Sequence, residues 1–91
     1  MSDLEEDFER AAREVQRLPA RPSNEELLEL YALFKQASVG DVRGTRPGLV
    51  DFKGRAKYDA WAALSGMDRD EAMRTYVALA RHLAETYAAP A

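Results

Sequence analysis

Apolar residues recur at helical spacing in four blocks of the chain, and each block is bounded by residues that start or stop a helix. In the first, Leu4, Phe8, Ala11, Ala12, Val15 and Leu18 stand among charged residues. Ser2 and Glu5 have the spacing of a capping box, in which a hydroxyl takes an orphan amide and a carboxylate reaches back to the cap. Pro19 lacks an amide and disfavours a helical Leu18, so the pattern predicts a helix over about 3–18 followed by a connector, Pro19-Ala20-Arg21-Pro22.

In the second block Leu27, Leu30, Tyr31, Phe34, Ala37 and Ser38 follow one face, and Leu28, Tyr31 and Lys35 form an adjoining stripe. Ser23 and Glu26 make a second capping box, and Gly40 suits the left-handed turn that closes such a helix, which gives 24–39. The connection from Gly40 to Asp51 is about a dozen residues, long for a compact domain. Val42, Leu49, Val50 and Phe52 are expected to fold it back on the body.

The third helix is expected over 53–65, with Tyr58, Trp61, Ala62 and Leu64 as its apolar surface and Gly66 as its stop. Lys53, Lys57 and Trp61 are four apart and share a face. Asp68, with Glu71 three residues on, caps a fourth helix over 68–87, whose stripe is Ala72, Met73, Tyr76, Ala80, Leu83 and Tyr87 with Val77 and Ala84 beside it. Residues 88–91 are expected to fray. Four amphipathic helices and no credible strand make an all-α bundle. The long connection leaves the second and third helices free to run parallel.

Ninety-one residues, 46% of them apolar, suit one domain over 1–91 with one modest core. The absence of cysteine removes disulfides and thiol chemistry and fits a reducing compartment. The acidic beginning, Met1-Ser2-Asp3-Leu4-Glu5-Glu6, is unlike a leader, and no apolar run has bilayer length. A cytoplasmic protein without stable membrane insertion is expected.

Charge divides the chain unevenly. Residues 31–61 hold Lys35, Arg43, Arg46, Lys53, Arg55 and Lys57 against Asp41, Asp51 and Asp59, whereas the whole chain is net -3. A basic, aromatic centre in an acidic protein points to an anionic ligand that contains a ring. The acidic balance argues against nucleic acid as a partner. Arg46 is expected to pair with Asp41 or Asp51, and Trp61 to be packing.

No catalytic or metal constellation emerges. His82 is the only histidine and has no cysteine or second histidine to share a metal with. Ser2, Ser23, Ser38 and Ser65 lie at caps or helix ends, outside any nucleophile-elbow sequence. The chain reads as a binding protein that needs no cofactor.

One stretch carries a more specific signal. Tyr31-x-x-Phe34-Lys35-Gln36-Ala37-Ser38-Val39-Gly40-Asp41 is followed by Arg46-Pro47-Gly48 and then Asp51-Phe52-Lys53-Gly54-Arg55-Ala56-Lys57-Tyr58-Asp59-Ala60-Trp61. In order and spacing this text resembles the acyl-CoA-binding protein family. The likeness extends to Phe8, Ala11, Ala12 and Val15 in the first helix and to Asp70-Glu71-Ala72-Met73 and Tyr76 in the fourth. It implies a four-helix bundle with a shallow bowl that binds, buffers and carries long-chain fatty acyl-CoA esters as a monomer, meeting acyl-CoA-using enzymes transiently and catalysing nothing.

The resemblance implies roles as well. Tyr31 and Lys35 would meet the 3′-phosphate and adenosine, Lys57 another CoA phosphate, and Tyr76 the adenine side. Leu27 and Leu28 would border the acyl tail. Phe34, Tyr58 and Gln16 complete the candidate set at positions where the family often has Tyr, Trp and Lys. Phe34 keeps a ring face without a hydroxyl, Tyr58 offers a smaller ring, and Gln16 removes a cation that Arg13 and Arg17 replace in part. These three residues favour the competing reading, a helical protein-interaction module on the same fold with acyl-CoA binding weakened or lost.

Overall fold

The computed structural model describes residues 3–88. Its four helices are α1 (Leu4–Val15), α2 (Asn24–Ser38), α3 (Phe52–Ala62) and α4 (Arg69–Thr86), and no strand occurs among the described residues. Ser2, and with it the first capping box, lies outside them, as do residues 89–91. Asp3 serves as the cap of α1, accepting the Glu5 amide. Ser23 and Glu26 form the reciprocal box at α2, and Asp68 accepts the Glu71 amide at α4.

The α-helical bonding stops before the spacing runs out. Gln16, Arg17 and Leu18 each donate to a carbonyl three residues back, so α1 tightens into a narrower turn ahead of Pro19. Leu64 and Ser65 do the same after α3, and Gly66 completes the reversal at φ +91°. Gly40, at φ +97°, closes α2, its amide and that of Val39 both donating to the Lys35 carbonyl.

The main core joins Phe8 and Ala11 of α1, Leu30, Leu33 and Ala37 of α2, and Ala72, Met73, Tyr76, Ala80 and Leu83 of α4. Helix α4 packs on α1 and on α2, while α3 packs on α2 alone. The spatial order is therefore α1-α4-α2-α3, an open row rather than a closed square, with extents of 44 × 31 × 15 Å. Tyr87 near Glu26, Tyr76 near Phe34 and Arg69 near Ser38 show that α4 runs antiparallel to α2.

Helix α3 runs the other way. Lys57 sits over Tyr31 and Lys35 over Trp61, a constant offset along both helices, so α2 and α3 are parallel. The only buried residue of α3 is Trp61, whose indole N–H donates to the Gly40 carbonyl at 2.8 Å.

The α2–α3 connection is held by polar contacts rather than by the apolar residues expected to fold it back, of which only Val42 is half-buried. Leu49, Val50 and Phe52 are 75%, 93% and 79% exposed. No helix packs on the far side of α3 to cover them, and Phe52 borders only an open depression. Instead Arg46 forms two bonds with the Asp59 carboxylate, at 2.8 and 2.7 Å, and the Tyr58 hydroxyl donates to the Gly44 carbonyl. Arg46 thus pairs across the connection with α3, rather than with Asp41 or Asp51. Asp51 is occupied as the α3 cap, accepting the Gly54 amide.

Asp41 is occupied too. Its carboxylate accepts from the Gln36 side chain and the Gly66 amide, both at 2.8 Å. Gln36 also donates to the Met67 carbonyl, and Arg69 donates to the carbonyls of Ala37 and Ser38 at the end of α2. These bonds fasten the end of α2 to the α3–α4 turn. The Gly66 amide first, and Gln36 second, hold the Asp41 carboxyl below its ordinary value.

Candidate functional site

Helix α2 has two occupied flanks. Leu30, Leu33 and Ala37 enter the core shared with α4, and the stripe of Leu28, Tyr31 and Lys35 turns toward α3. Helix α1 meets α2 only through side chains such as Phe8 against Phe34, and the surface on either side of Tyr31 stays open. Two depressions form there.

The larger, about 520 Å³, lies along the parallel α2–α3 seam and is lined by Leu27, Leu28, Tyr31, Phe52, Ala56 and Lys57, with Arg21, Asn24 and Lys53 at its polar edge. The smaller, about 290 Å³, lies between α1, α2 and α4. Its walls are Ala12, Val15, Gln16, Leu27, Leu30, Tyr31, Phe34 and Tyr76. Leu27 and Tyr31 belong to both, so the two adjoin as one bowl with these side chains on the divide.

The aromatic wall is ordered by its neighbours. Phe8 and Tyr76 meet edge to face at 5.1 Å, and Phe34 lies 5.4 Å from Phe8 and 6.2 Å from Tyr76. Phe34 is 40% exposed, so it supports the core with one side and offers the other to the bowl. Tyr76 is 4% exposed, and burial raises its hydroxyl above the ordinary tyrosine value, which keeps the ring neutral.

The cations rest on rings. Lys57 Nζ lies 5.4 Å from the Tyr31 ring centre, and Lys35 Nζ lies 4.9 Å from that of Trp61. Each ammonium is held at the α2–α3 seam by a ring rather than by a carboxylate, which leaves its hydrogens available to an anion. Trp61 is packing, as expected, and it also props Lys35.

Seven of the nine residues suggested by the sequence therefore line the bowl: Gln16, Leu27, Leu28, Tyr31, Phe34, Lys57 and Tyr76. Lys35 stands outside both depressions, over Trp61. Tyr58 is turned to the α2–α3 connection by its bond to Gly44 and lines neither depression. Arg21, Asn24, Phe52, Lys53 and Ala56 line the larger depression without having been named among the candidate site residues. The spacing of Lys53, Ala56 and Lys57 signals a common α3 face. Nothing local in the sequence signals Arg21, which reaches the site because the connector brings it beside the α2 cap, where it donates to Asn24.

The bowl combines an apolar floor, aromatic faces and free ammonium groups, without a nucleophile or a cluster able to hold a metal among the described residues. It can hold an amphiphile whose polar end is anionic and aromatic.

Comparison with known proteins agrees. Residues 5–80 match the family described as Acyl CoA binding protein. Over 88 residues the chain is 51% identical to the Acyl-CoA-binding protein of Brassica napus, which covers 97% of this chain and 96% of that protein. The crystal structure of Oryza sativa Acyl-CoA-Binding Protein 2 superimposes with a TM-score of 0.90 at 44% identity, covering 94% of each chain. That of ACBP from Moniliophthora perniciosa does so with a TM-score of 0.87 at 39% identity, covering 98% of this chain and 86% of that one.

Proposed function

The chain belongs to the acyl-CoA-binding protein family, and from that premise we propose that it binds long-chain fatty acyl-CoA esters reversibly, one per chain, buffering and carrying them without altering them. The observation that carries the proposal is the bowl divided by Leu27 and Tyr31, with apolar walls on both sides and Lys57 poised over the Tyr31 ring.

The ligand's parts fit this division. Lys57 and Lys35 meet the phosphates as mobile point charges, and their resting places on Tyr31 and Trp61 cost little to leave, since such ring contacts are worth about 0.5–1 kcal/mol at exposed sites. The adenine ring stacks among Tyr31, Phe34 and Tyr76. The tail lies on Leu27, Leu28 and Ala56 along the α2–α3 seam, each buried methylene contributing about 0.8 kcal/mol. Gln16 offers an amide at the rim where a cation would be stronger, and Lys53 and Arg21 raise the local potential. No step needs a cofactor, a metal or a covalent intermediate. The protein acts as a monomer in the cytoplasm, and acyl-CoA-using enzymes draw on it by brief encounters.

Calorimetric titration with a long-chain acyl-CoA, beside free CoA and the matching fatty acid, tests this reading. Tight binding of the thioester and much weaker binding of both fragments is the expected result. Tyr31→Ala and Lys35→Ala are each expected to weaken the thioester about tenfold, the scale of one hydrogen bond to a charged group. Binding of none of the three compounds would leave the fold as a protein-interaction module.

A further inference from the structure

The bowl and the polar ties of the α2–α3 connection leave one feature unused. Leu49, Val50 and Phe52 are consecutive or nearly so, and all three face solvent. Among the described residues, the only other large apolar side chain with comparable freedom is Phe34, which has its place in the bowl. An apolar cluster with so little cover marks a surface that meets something.

Its surroundings narrow the choice of partner. Directly after it, Lys53, Arg55 and Lys57 follow within the first turns of α3. The carboxylates nearby are engaged, Asp51 in capping α3 and Asp59 in accepting two hydrogen bonds from Arg46. The chain is acidic as a whole, yet cations follow its apolar tip directly. A second copy of this chain docked on the same tip would bring these cations against each other, which is costly. An anionic lipid surface complements both parts at once, taking the apolar tip into the acyl boundary and the cations among its headgroups.

We infer that Leu49, Val50 and Phe52, with Lys53 and Arg55 beside them, form a reversible docking tip for anionic bilayer surfaces. No helix of the described chain is long and apolar enough to cross a membrane, so the tip rests on the surface and does not span it. Phe52 belongs to both the tip and the larger depression, and the groove therefore opens where the lipid would be. The inference rests on the carrier reading for its purpose: the docked protein takes up or delivers an acyl tail beside the bilayer from which such a tail comes. The surface itself is defined without any ligand.

The test is vesicle flotation without acyl-CoA, using phosphatidylcholine vesicles and vesicles with about one-third phosphatidylserine. The wild-type chain should float with the anionic vesicles about tenfold more than with the neutral ones, and less at high salt. Leu49→Ser with Val50→Ser, at two exposed positions outside the bowl, should lower that binding about tenfold. Val50→Trp should give an emission quenched by brominated lipid, which headgroup adsorption alone would not produce. Absence of flotation by the wild type, equal flotation by the double variant, or a wild-type dimer that the double substitution dissolves would each overturn the inference.

Titration with acyl-CoA, without vesicles, separates this from the carrier reading. Equal heats for wild type and double variant assign the tip to the membrane alone. Tip-dependent flotation by a chain that gives no acyl-CoA heat would keep the surface and remove the cargo.

Discussion

Gln36 holds more of this structure together than its polarity suggests. It is 1% exposed, and its two amide hydrogens go to Asp41 and to the Met67 carbonyl, joining α2 and the turn after it to the distant α3–α4 turn. Its Oε1 is buried with no protein partner among the described residues, so its bonding runs through the nitrogen. Gln36→Ala should cost about 2–3 kcal/mol, the loss of two bonds plus a cavity, measurable by chemical denaturation. Asp41 gives the same staple a pH dependence. Its folded value is below the ordinary one, so at acid pH the native state binds fewer protons than the unfolded chain. That stability is fully present above the ordinary carboxylate value of about 3.9 and is lost as pH falls through the folded value. Melting temperatures followed downward from neutral pH should drop less steeply for Asp41→Asn, which has no carboxylate to protonate. None of this was legible in the chain. Gln36 shows only as a polar residue near the end of an amphipathic helix, and its partners lie in turns whose positions depend on the whole fold.

Among the elements, the helices and most of their caps were legible because periodicity and capping are local. Ser23 with Glu26, Asp68 with Glu71, and Gly40 all act where their sequence puts them. The candidate site was legible to the extent that it follows a helix face: Leu28 and Tyr31 on α2 and Lys57 on α3 reach the same depression. Tyr58 lines neither depression, since one further residue along α3 turns a side chain by roughly 100°. The exposure of Leu49, Val50 and Phe52 was missed because apolar character argues for burial, and only the helix arrangement shows that nothing is there to cover them. The parallel alignment of α2 and α3 depends on Trp61. Trp61→Phe keeps the ring under Lys35 but deletes the bond to Gly40, and it should cost about 1 kcal/mol or somewhat more, with the freed carbonyl partly reaching water. Gly54→Ala is a different kind of case. A methyl there would collide with the Asp51 carboxylate that caps α3. The loss of a cap, about 1 kcal/mol, is set against a helix-propensity gain of similar size, so the same denaturation measurement should find little net change.

For the molecule as a whole, the row α1-α4-α2-α3 sets a gradient of stability. Helix α4 has a neighbour on each side and contributes half of the main core, whereas α3 has one neighbour and one buried residue. Hydrogen exchange should therefore find the α3 amides opening at lower free energy than those of α4, with α4 approaching the global value. Bound acyl-CoA should slow exchange in α3 more than in α1, since the α2–α3 seam is where the larger depression lies. Equal protection of all four helices in the free protein would mean that α3 is held by more than α2.

The 15 Å dimension has a kinetic meaning. A body this flat fills its interior with its own core and carries its depressions on the surface, so no chamber encloses a tail. A ligand lying in an open bowl leaves without any segment having to move first. Its residence time is then set by the contacts it breaks, and each methylene that reaches the groove should lengthen that time about fourfold, while the rate of arrival stays nearly constant along a series of chain lengths.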